Sequence, residues 1–257
     1  MITVTVDQDR LSEIVHLEIG DHEDRGDGMC VMEAVAYATG QKHSDTPACV
    51  CPVIATYCRR LNDMMPGYQR DRLIQYIPQL PGSVAAPSVQ RQRRELLLNR
   101  AIRVFAPIAL EAADRPEEAA TLRSLPTAVD GEREKNELLR TLAILDAQDD
   151  GDDAYNTAYV YAAISAHALD PDRADYAASR AAVYNAHYLA RRAAYNAVSA
   201  AYDATSWAEA ASATAAAVQK AHTACVAGAA CDGADTPSPD TVWDAALETL
   251  DLLLAMA

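Results

Sequence analysis

The chain has 257 residues, half of them hydrophobic, and a formal net charge of -15 with a pI near 4.7. A nucleic-acid binder needs a basic face, so this charge argues against direct binding of nucleic acid. The longest apolar run is far shorter than a membrane span, and no signal peptide precedes Asp7. We therefore expect a cytoplasmic protein of a bacterial or infected host cell, with no membrane contact.

The apolar pattern predicts a mainly α fold with a small N-terminal β-hairpin. Residues 2–6 alternate and are β-branched, which predicts one strand, and residues 14–19 predict a second. Such a hairpin is stable only when it packs on helices. Three domains are predicted: an N-terminal helix-loop-helix module with the hairpin (1–82), a helical middle segment (87–147) and an Ala/Tyr-rich helical domain (152–257).

The N-terminal module contains two predicted helices joined by a polar loop. Asp27 and Gly28 form a turn before the apolar run 29–38, and Gly40 follows as a helix stop. Pro52 is suited to the first position of a second helix, which runs to about residue 62. The first helix is apolar nearly all round, so we expect it to be buried on most sides.

Glu33 is the one charged residue on this apolar helix. A buried carboxylate must have a partner or take up a proton. Arg59 and Arg60 are the candidate cationic partners, and a hydrogen bond to a nearby backbone turn is the alternative. Both of these interpretations are structural, whereas a third makes Glu33 a ligand-binding or catalytic carboxylate.

Cys30 is predicted to lie in the first turn of the same helix, where the helix dipole lowers a thiol pKa. Cysteine hydrolases combine such a thiol with a histidine, and His22 or His43 could serve as the base. The alternative is a buried, inert cysteine, which is the commoner situation. The sequence leaves both interpretations open.

Four potential metal ligands lie close together in the sequence: His43, Cys49, Cys51 and Cys58. Their spacing does not match zinc fingers or ribbons, in which paired ligands are two to four residues apart. We therefore predict no metal and no other cofactor, and interpret these cysteines as core thiols. The absence of a signal peptide also suits a reducing compartment without disulfides.

Several stretches of this module resemble a group of uncharacterised proteins from actinobacteria and their phages. They read DGMCVMEAVAYATG (27–40), HSDTPACVCPVIATY (43–57), RRLND (59–63) and RLIQYIPQLPG (72–82). The resemblance is specific over residues 18–82 and looser over the Ala-rich tail. It implies an actinobacterial or phage origin, and it implies no activity, cofactor or catalytic residue.

The middle of the chain is predicted to be helical. Residues 89–110 carry an apolar face and a cluster of four arginines at positions 91, 93, 94 and 100. This basic cluster could contact phosphate or an acidic partner. The simpler interpretation is a solvated face on which the arginines pair with neighbouring carboxylates.

The tail begins after the acidic stretch 146–153, which we interpret as a solvated hinge. Residues 154–230 are rich in alanine, the best helix former, so long helices are expected. Four tyrosines on these helices are candidate partner-binding residues: Tyr184, Tyr188, Tyr195 and Tyr202. They could equally form the core of a helical bundle. A last helix, 241–256, has a strongly apolar face and should dock back on the Ala/Tyr-rich bundle.

Taken together, these patterns favour a non-enzymatic interaction protein, an inhibitor or adaptor that presents an acidic helical surface to a protein partner. The lack of a glycine-rich phosphate loop, a serine elbow or a zinc-protease motif supports this hypothesis. The alternative is a thiol-dependent enzyme or small-ligand-binding protein centred on Cys30 and Glu33, with His22 or His43. Homo-oligomerisation is left open.

Overall fold

The computed structural model of the chain describes residues 4–112, 115–124, 207–229 and 237–256. The described residues are mainly helical, which confirms the coarse fold class. They form two compact units, each assembled from separate stretches of the chain. The first unit contains the described residues 4–98, 207–215 and 243–256, and the second contains 99–112, 115–124, 216–229 and 237–242.

Helices account for most of the described structure. Its α-helices are α1 (Gln8–Ser12), α2 (Val31–Ala38), α3 (Pro52–Met64), α4 (Gly67–Arg70), α5 (Pro87–Arg100), α6 (Ala106–Ala112), α7 (Pro116–Ser124), α8 (Trp207–Ala229) and α9 (Pro239–Leu254). Two 3-10 turns cover Arg25–Asp27 and Asp71–Tyr76, and a π turn covers Ala101–Phe105. Among these described helices, none is both long and apolar enough to cross a bilayer.

The predicted hairpin is not seen in the described residues. Asp7 accepts hydrogen bonds from the backbone N–H groups of Asp9 and Arg10 and so caps the start of α1. Residues 14–18 have no regular secondary structure and pair with no strand that the structure describes. Side chains from elsewhere take the place of a strand partner here: Asp71 Oδ1 accepts the N–H of Leu17 at 2.9 Å. Residues 2 and 3 of the first predicted strand lie outside the described part of the chain.

Helix α2 lies in the core of the first unit, as its apolar sequence predicts. Every residue of α2 except Tyr37 is buried. Gly40, with φ at 67°, ends the helix in the left-handed conformation that favours glycine. The turn is closed by a hydrogen bond from the N–H of Gln41 to the carbonyl oxygen of Ala36, at 2.9 Å. The predicted helix stop is therefore confirmed.

Helix α3 also matches its prediction, with Pro52 at its first turn. The apolar stripe Val53, Ile54, Tyr57, Cys58 and Leu61 is buried. After α3 the sequence predicts one helix over 68–77, but the structure has α4 followed by a 3-10 turn. Residues three apart eclipse in a 3-10 helix, and Leu73 and Tyr76 are accordingly both buried.

The apolar face of helix α9 is buried within the first unit, where it meets the N-terminal module; the sequence assigns it to the Ala/Tyr-rich bundle, most of which lies outside the described residues. Trp243, Leu247 and Leu250 are buried. The Tyr57 hydroxyl donates a hydrogen bond to the carbonyl oxygen of Ala246, at 3.2 Å. Because this hydroxyl reaches a backbone carbonyl, Tyr57 can be completely buried without an unsatisfied polar atom.

Arg70 is buried and binds only backbone carbonyl oxygens. Its guanidinium donates to the carbonyls of Asn62 at 2.7 Å, Met65 at 3.0 Å and Leu17 at 3.1 Å. Asn62 and Met65 lie at the end of α3, where carbonyl groups lack partners within the helix. Arg70 therefore caps α3 and fixes Leu17 against it.

Arg93 plays the same structural part at the end of α9. It is only 2% exposed, and it donates to the carbonyl oxygens of Leu253 at 3.1 Å, Met256 at 2.6 Å and Ser83 at 2.6 Å. The expectation of a solvated arginine face is thus wrong at this position. A planar cation with five donors can satisfy several helix-terminal carbonyls at once, which offsets the cost of its burial.

The second unit contains the π turn, α6 and α7. Its buried residues include Phe105, at the end of the π turn, and Leu122, on α7. Glu111 on α6 forms an ion pair with Arg123 on α7. The predicted hinge at 146–153 lies outside the described residues, as do the end of the predicted middle segment, from residue 125 onward, and the larger part of the Ala-rich tail. The three-domain division therefore stays a prediction.

Candidate functional site

The start of α2 is built around the buried carboxylate of Glu33, which is 1% exposed. Cys30 is the N-cap residue, and Glu33 is the third residue of the helix. Glu33 Oε2 accepts the backbone N–H of Cys30 at 2.8 Å, while the Cys30 sulfur faces the backbone N–H of Glu33. This is a capping box in which a thiol replaces the usual hydroxyl.

Two histidines complete the surroundings of Glu33. His22 donates its backbone N–H to Oε1 and its ring Nδ1 to Oε2, both at 2.8 Å. His43 Nε2 donates to the carbonyl oxygen of His22 at 2.9 Å and lies 3.5 Å from Glu33 Oε1. Glu33 therefore ties the loop that precedes α2 and the loop that follows it to the same helix.

Gly28 makes the close approach of His22 possible. Its φ of 118° is accessible essentially to glycine alone. A Cβ at this position would lie 2.8 Å from Glu18 Cγ and 3.2 Å from His22 Nε2. The sequence predicts a turn at Asp27 and Gly28, and the structure shows that the turn packs directly against the imidazole.

The environment lowers the pKa of Glu33 and raises that of Cys30. Burial raises the pKa of Glu33, but hydrogen bonds from the N–H groups of His22 and Cys30 and from the His22 ring more than compensate, so its pKa falls below 4.5. Burial raises the pKa of Cys30 to about 12. At neutral pH the pair is thus a carboxylate beside a protonated thiol.

The structure brings together all four residues that the sequence singled out for chemistry: His22, Cys30, Glu33 and His43. It corrects the partner of Glu33, however, because neither Arg59 nor Arg60 pairs with it. Arg59 instead donates to the carbonyl oxygen of Asp45 at 2.8 Å. The partners of Glu33 are instead the two histidines, which lie in the loops on either side of α2.

The four potential metal ligands do not form one group. His43 lies at Glu33, Cys51 precedes α3, and Cys58 is buried within α3. Within the described residues, no cluster of three or more histidine, cysteine or acidic side chains has metal-binding geometry. The five described cysteines are all free and buried. The candidate partner-binding tyrosines 184, 188, 195 and 202 lie outside the described residues.

A cleft of about 320 Å³ opens beside Cys30. One wall is the face of α3 that carries Thr56, Arg59, Arg60 and Asp63, residues spaced three or four apart. The remaining lining residues are Gly20, Asp21, Cys30 and Asp45. This is a polar cleft of mixed charge.

The segment between α1 and α2 forms a second surface feature, which we call the acidic strip. It carries six exposed carboxylates, those of Glu13, Glu18, Asp21, Glu23, Asp24 and Asp27. Val15 and Ile19 lie in the same strip with 66% and 58% of their surface exposed. Arg25 is the one basic residue within it, and its guanidinium pairs with Glu13.

The acidic strip is not among the features predicted from the sequence, and neither is Arg70, which holds Leu17 in place. The run of carboxylates between residues 13 and 27 was a visible signal. The exposure of Val15 and Ile19 was not, because alternating apolar residues usually predict a half-buried strand. Arg70 also carried a detectable signal, since arginines near helix ends often bind terminal carbonyls.

Comparison with known proteins adds no family assignment: no protein-family model, curated protein or solved structure matches the chain.

Proposed function

We propose that the chain is a non-enzymatic interaction protein, an inhibitor or adaptor encoded by an actinobacterium or its phage, that binds a macromolecular partner through an acidic surface. The observation that carries this proposal is the acidic strip, where Val15 and Ile19 are exposed among six carboxylates. Exposed apolar side chains among mainly acidic groups fit a protein partner with an apolar patch bordered by basic residues.

The backbone of the strip is held in place before any partner arrives. Leu17 is anchored through both backbone groups, its N–H on Asp71 and its carbonyl on Arg70. Glu18 is anchored in the same way, to the carbonyl of Met29 and the side chain of Asn62. Because the segment is already ordered, binding would not have to offset its conformational entropy.

Helix α9 supports the proposal with an acidic helical face. Asp244, Glu248 and Asp251 are exposed on it, and the helix contains no lysine or arginine. The acidic strip and the acidic face of α9 both carry negative charge. This charge would steer a basic partner toward the first unit and repel nucleic acid.

The thiol-dependent alternative receives no comparable support. Cys30 is 2% exposed and keeps its proton at neutral pH, and both oxygens of Glu33 already accept N–H groups. A thiolate nucleophile needs the opposite, a lowered pKa and an accessible sulfur. We therefore base the proposed function on the acidic strip.

Site-specific photocrosslinking tests the proposed function. A photoreactive phenylalanine analogue is placed at position 15 or 19, and at position 84 as the control, because Val84 is 52% exposed but lies outside the strip. In an actinobacterial lysate, we expect a discrete adduct from positions 15 and 19 that weakens with added salt and with Glu23→Lys. The same adducts from position 84, or no adduct from the strip, would contradict the proposal.

A further inference from the structure

The cleft beside Cys30 contains charged groups that the packing of the protein does not use. Arg59 is committed, because it binds the carbonyl oxygen of Asp45 at 2.8 Å, lies 3.7 Å from the Asp45 carboxylate and reaches Thr56 at 3.4 Å. Arg60, the next residue, is exposed and forms no ion pair or hydrogen bond with any residue that the structure describes. One arginine thus supports the wall, and the other is available to a ligand.

One carboxylate of the cleft is paired with an arginine, and two others form no ion pair with the described residues. Asp45 is paired with Arg59. Asp63 accepts the N–H of Gly20 through Oδ1 at 3.0 Å, which holds the side chain and leaves Oδ2 without a hydrogen bond to the described residues. Asp21 is exposed and has no side-chain partner within the described part of the chain. Neither Asp21 nor Asp63 forms an ion pair with Arg60, although all three line the same cleft.

The charges select the ligand class. A simple anion would meet the carboxylates of Asp21 and Asp63, and a simple cation would meet Arg59 and Arg60. The described carboxylates do not converge on a metal-binding point. A molecule that carries both charges can satisfy both sets of groups, and a cleft of about 320 Å³ is at the small end of the range for ligand sites.

We propose that this cleft binds a small zwitterion of amino-acid size. Its carboxylate meets the guanidinium of Arg60, whose planar donors match a carboxylate in two parallel hydrogen bonds. Its ammonium group meets Asp63 Oδ2 and Asp21. The Thr56 hydroxyl and the Cys30 thiol complete the wall. This site goes beyond the proposed function, and of the six carboxylates of the acidic strip only Asp21 lines it.

Calorimetric titration of the full chain with the free standard amino acids tests the proposal. For each amino acid that binds, the matching deaminated acid and decarboxylated amine are titrated as well. We expect at least one amino acid to bind in the millimolar range or tighter, and both analogues to bind about tenfold or more weakly, because each lacks one charge-assisted contact.

Variants locate the site. Arg60→Gln and Asp63→Asn should each weaken binding about tenfold or more. Arg91→Gln is the matched control, since Arg91 is an exposed arginine of the same unit outside the cleft, and Asp9→Asn is the control for the carboxylate. Both controls should bind like the parent chain. Thermal unfolding of all four variants verifies that they are folded.

Three results would overturn the proposal. The first is that no amino acid binds at concentrations up to about 10 mM. The second is that a deaminated acid or a decarboxylated amine binds as tightly as its amino acid, which would show that one charge suffices. The third is unchanged binding in folded Arg60→Gln. None of these results bears on crosslinking at Val15 and Ile19, so the two proposals fail separately.

Discussion

Glu33 accepts hydrogen bonds from both the backbone N–H and the ring Nδ1 of His22, each at 2.8 Å. The two residues are eleven positions apart and belong to a loop and a helix. A third hydrogen bond, from the N–H of Cys30, caps the helix itself. A single carboxylate thus determines how α2 begins and where the preceding loop lies, which makes it a sensitive point for stability.

We expect Glu33→Gln to lower the free energy of unfolding by about 2 to 4 kcal/mol, because the amide keeps one acceptor oxygen and turns an NH₂ group toward buried N–H donors. Glu23→Gln is the matched control, since Glu23 is exposed, and it should change stability by less than about 0.5 kcal/mol. Urea unfolding of the parent and both variants measures the difference. Equal stability of the two variants would show that the Glu33 network contributes little.

The same carboxylate predicts a pH dependence. The pKa of Glu33 in the folded protein lies below its usual value of 4.5, so its ionised form stabilises the folded state. This contribution is complete above the unfolded pKa and is lost as the pH falls through the folded pKa. The stability difference between the parent and Glu33→Gln should therefore begin to shrink as the pH falls toward 4.5 and should be lost below the folded-state pKa. Urea unfolding at a series of pH values measures it, and a constant difference would argue against the lowered pKa.

Two glycines should respond in opposite ways to the same substitution. Gly28→Ala should destabilise the protein by about 2 kcal/mol or more, because φ at 118° is strained for alanine and the new Cβ would press on Glu18. Gly67→Ala should be neutral or slightly stabilising, since a Cβ there has no neighbour within 4 Å and Gly67 is helical. Thermal unfolding of both variants tests this pair, and a Gly28→Ala protein as stable as Gly67→Ala would refute the strain argument.

Arg70 should be far more sensitive to substitution than an exposed arginine. Arg70→Lys keeps the charge but cannot reproduce the three carbonyl contacts, so we expect a loss of about 2 to 4 kcal/mol. Arg91→Lys, on the exposed surface of α5, should have almost no effect. Guanidinium unfolding compares the two. Tolerance of lysine at position 70 would mean that water replaces the missing donors.

Three buried thiols of the folded chain should be unreactive. Burial raises the pKa values of Cys30, Cys58 and Cys225, so the thiolate fraction of each is very small at neutral pH. Iodoacetamide should label all three only after denaturation, with the modified positions mapped by mass spectrometry. Rapid labelling of Cys30 in the native chain would revive the thiol-dependent alternative. Cys30→Ser should fold normally, because serine is a favoured N-cap residue.

Local sequence determined much of the architecture. The apolar runs, Pro52 and Gly40 predicted α2 and α3, and the apolar face of the last helix predicted that α9 would dock. These features are encoded by neighbouring residues, through periodicity, a restricted φ and a left-handed turn. The sequence also singled out Glu33 as a residue in need of a partner, since a charge on an apolar helix requires one wherever that partner comes from.

Tertiary structure alone decided which partners meet. Glu33 binds two histidines from loops on either side of α2 and not the arginines that the sequence offered, and Arg93 binds carbonyls at the end of a helix 160 residues away. Hydrogen-bonding partners over such distances are selected by how the helices pack, and the pattern of neighbouring residues carries no record of that. For the same reason, the availability of Arg60 and the exposure of Val15 are properties of the folded chain.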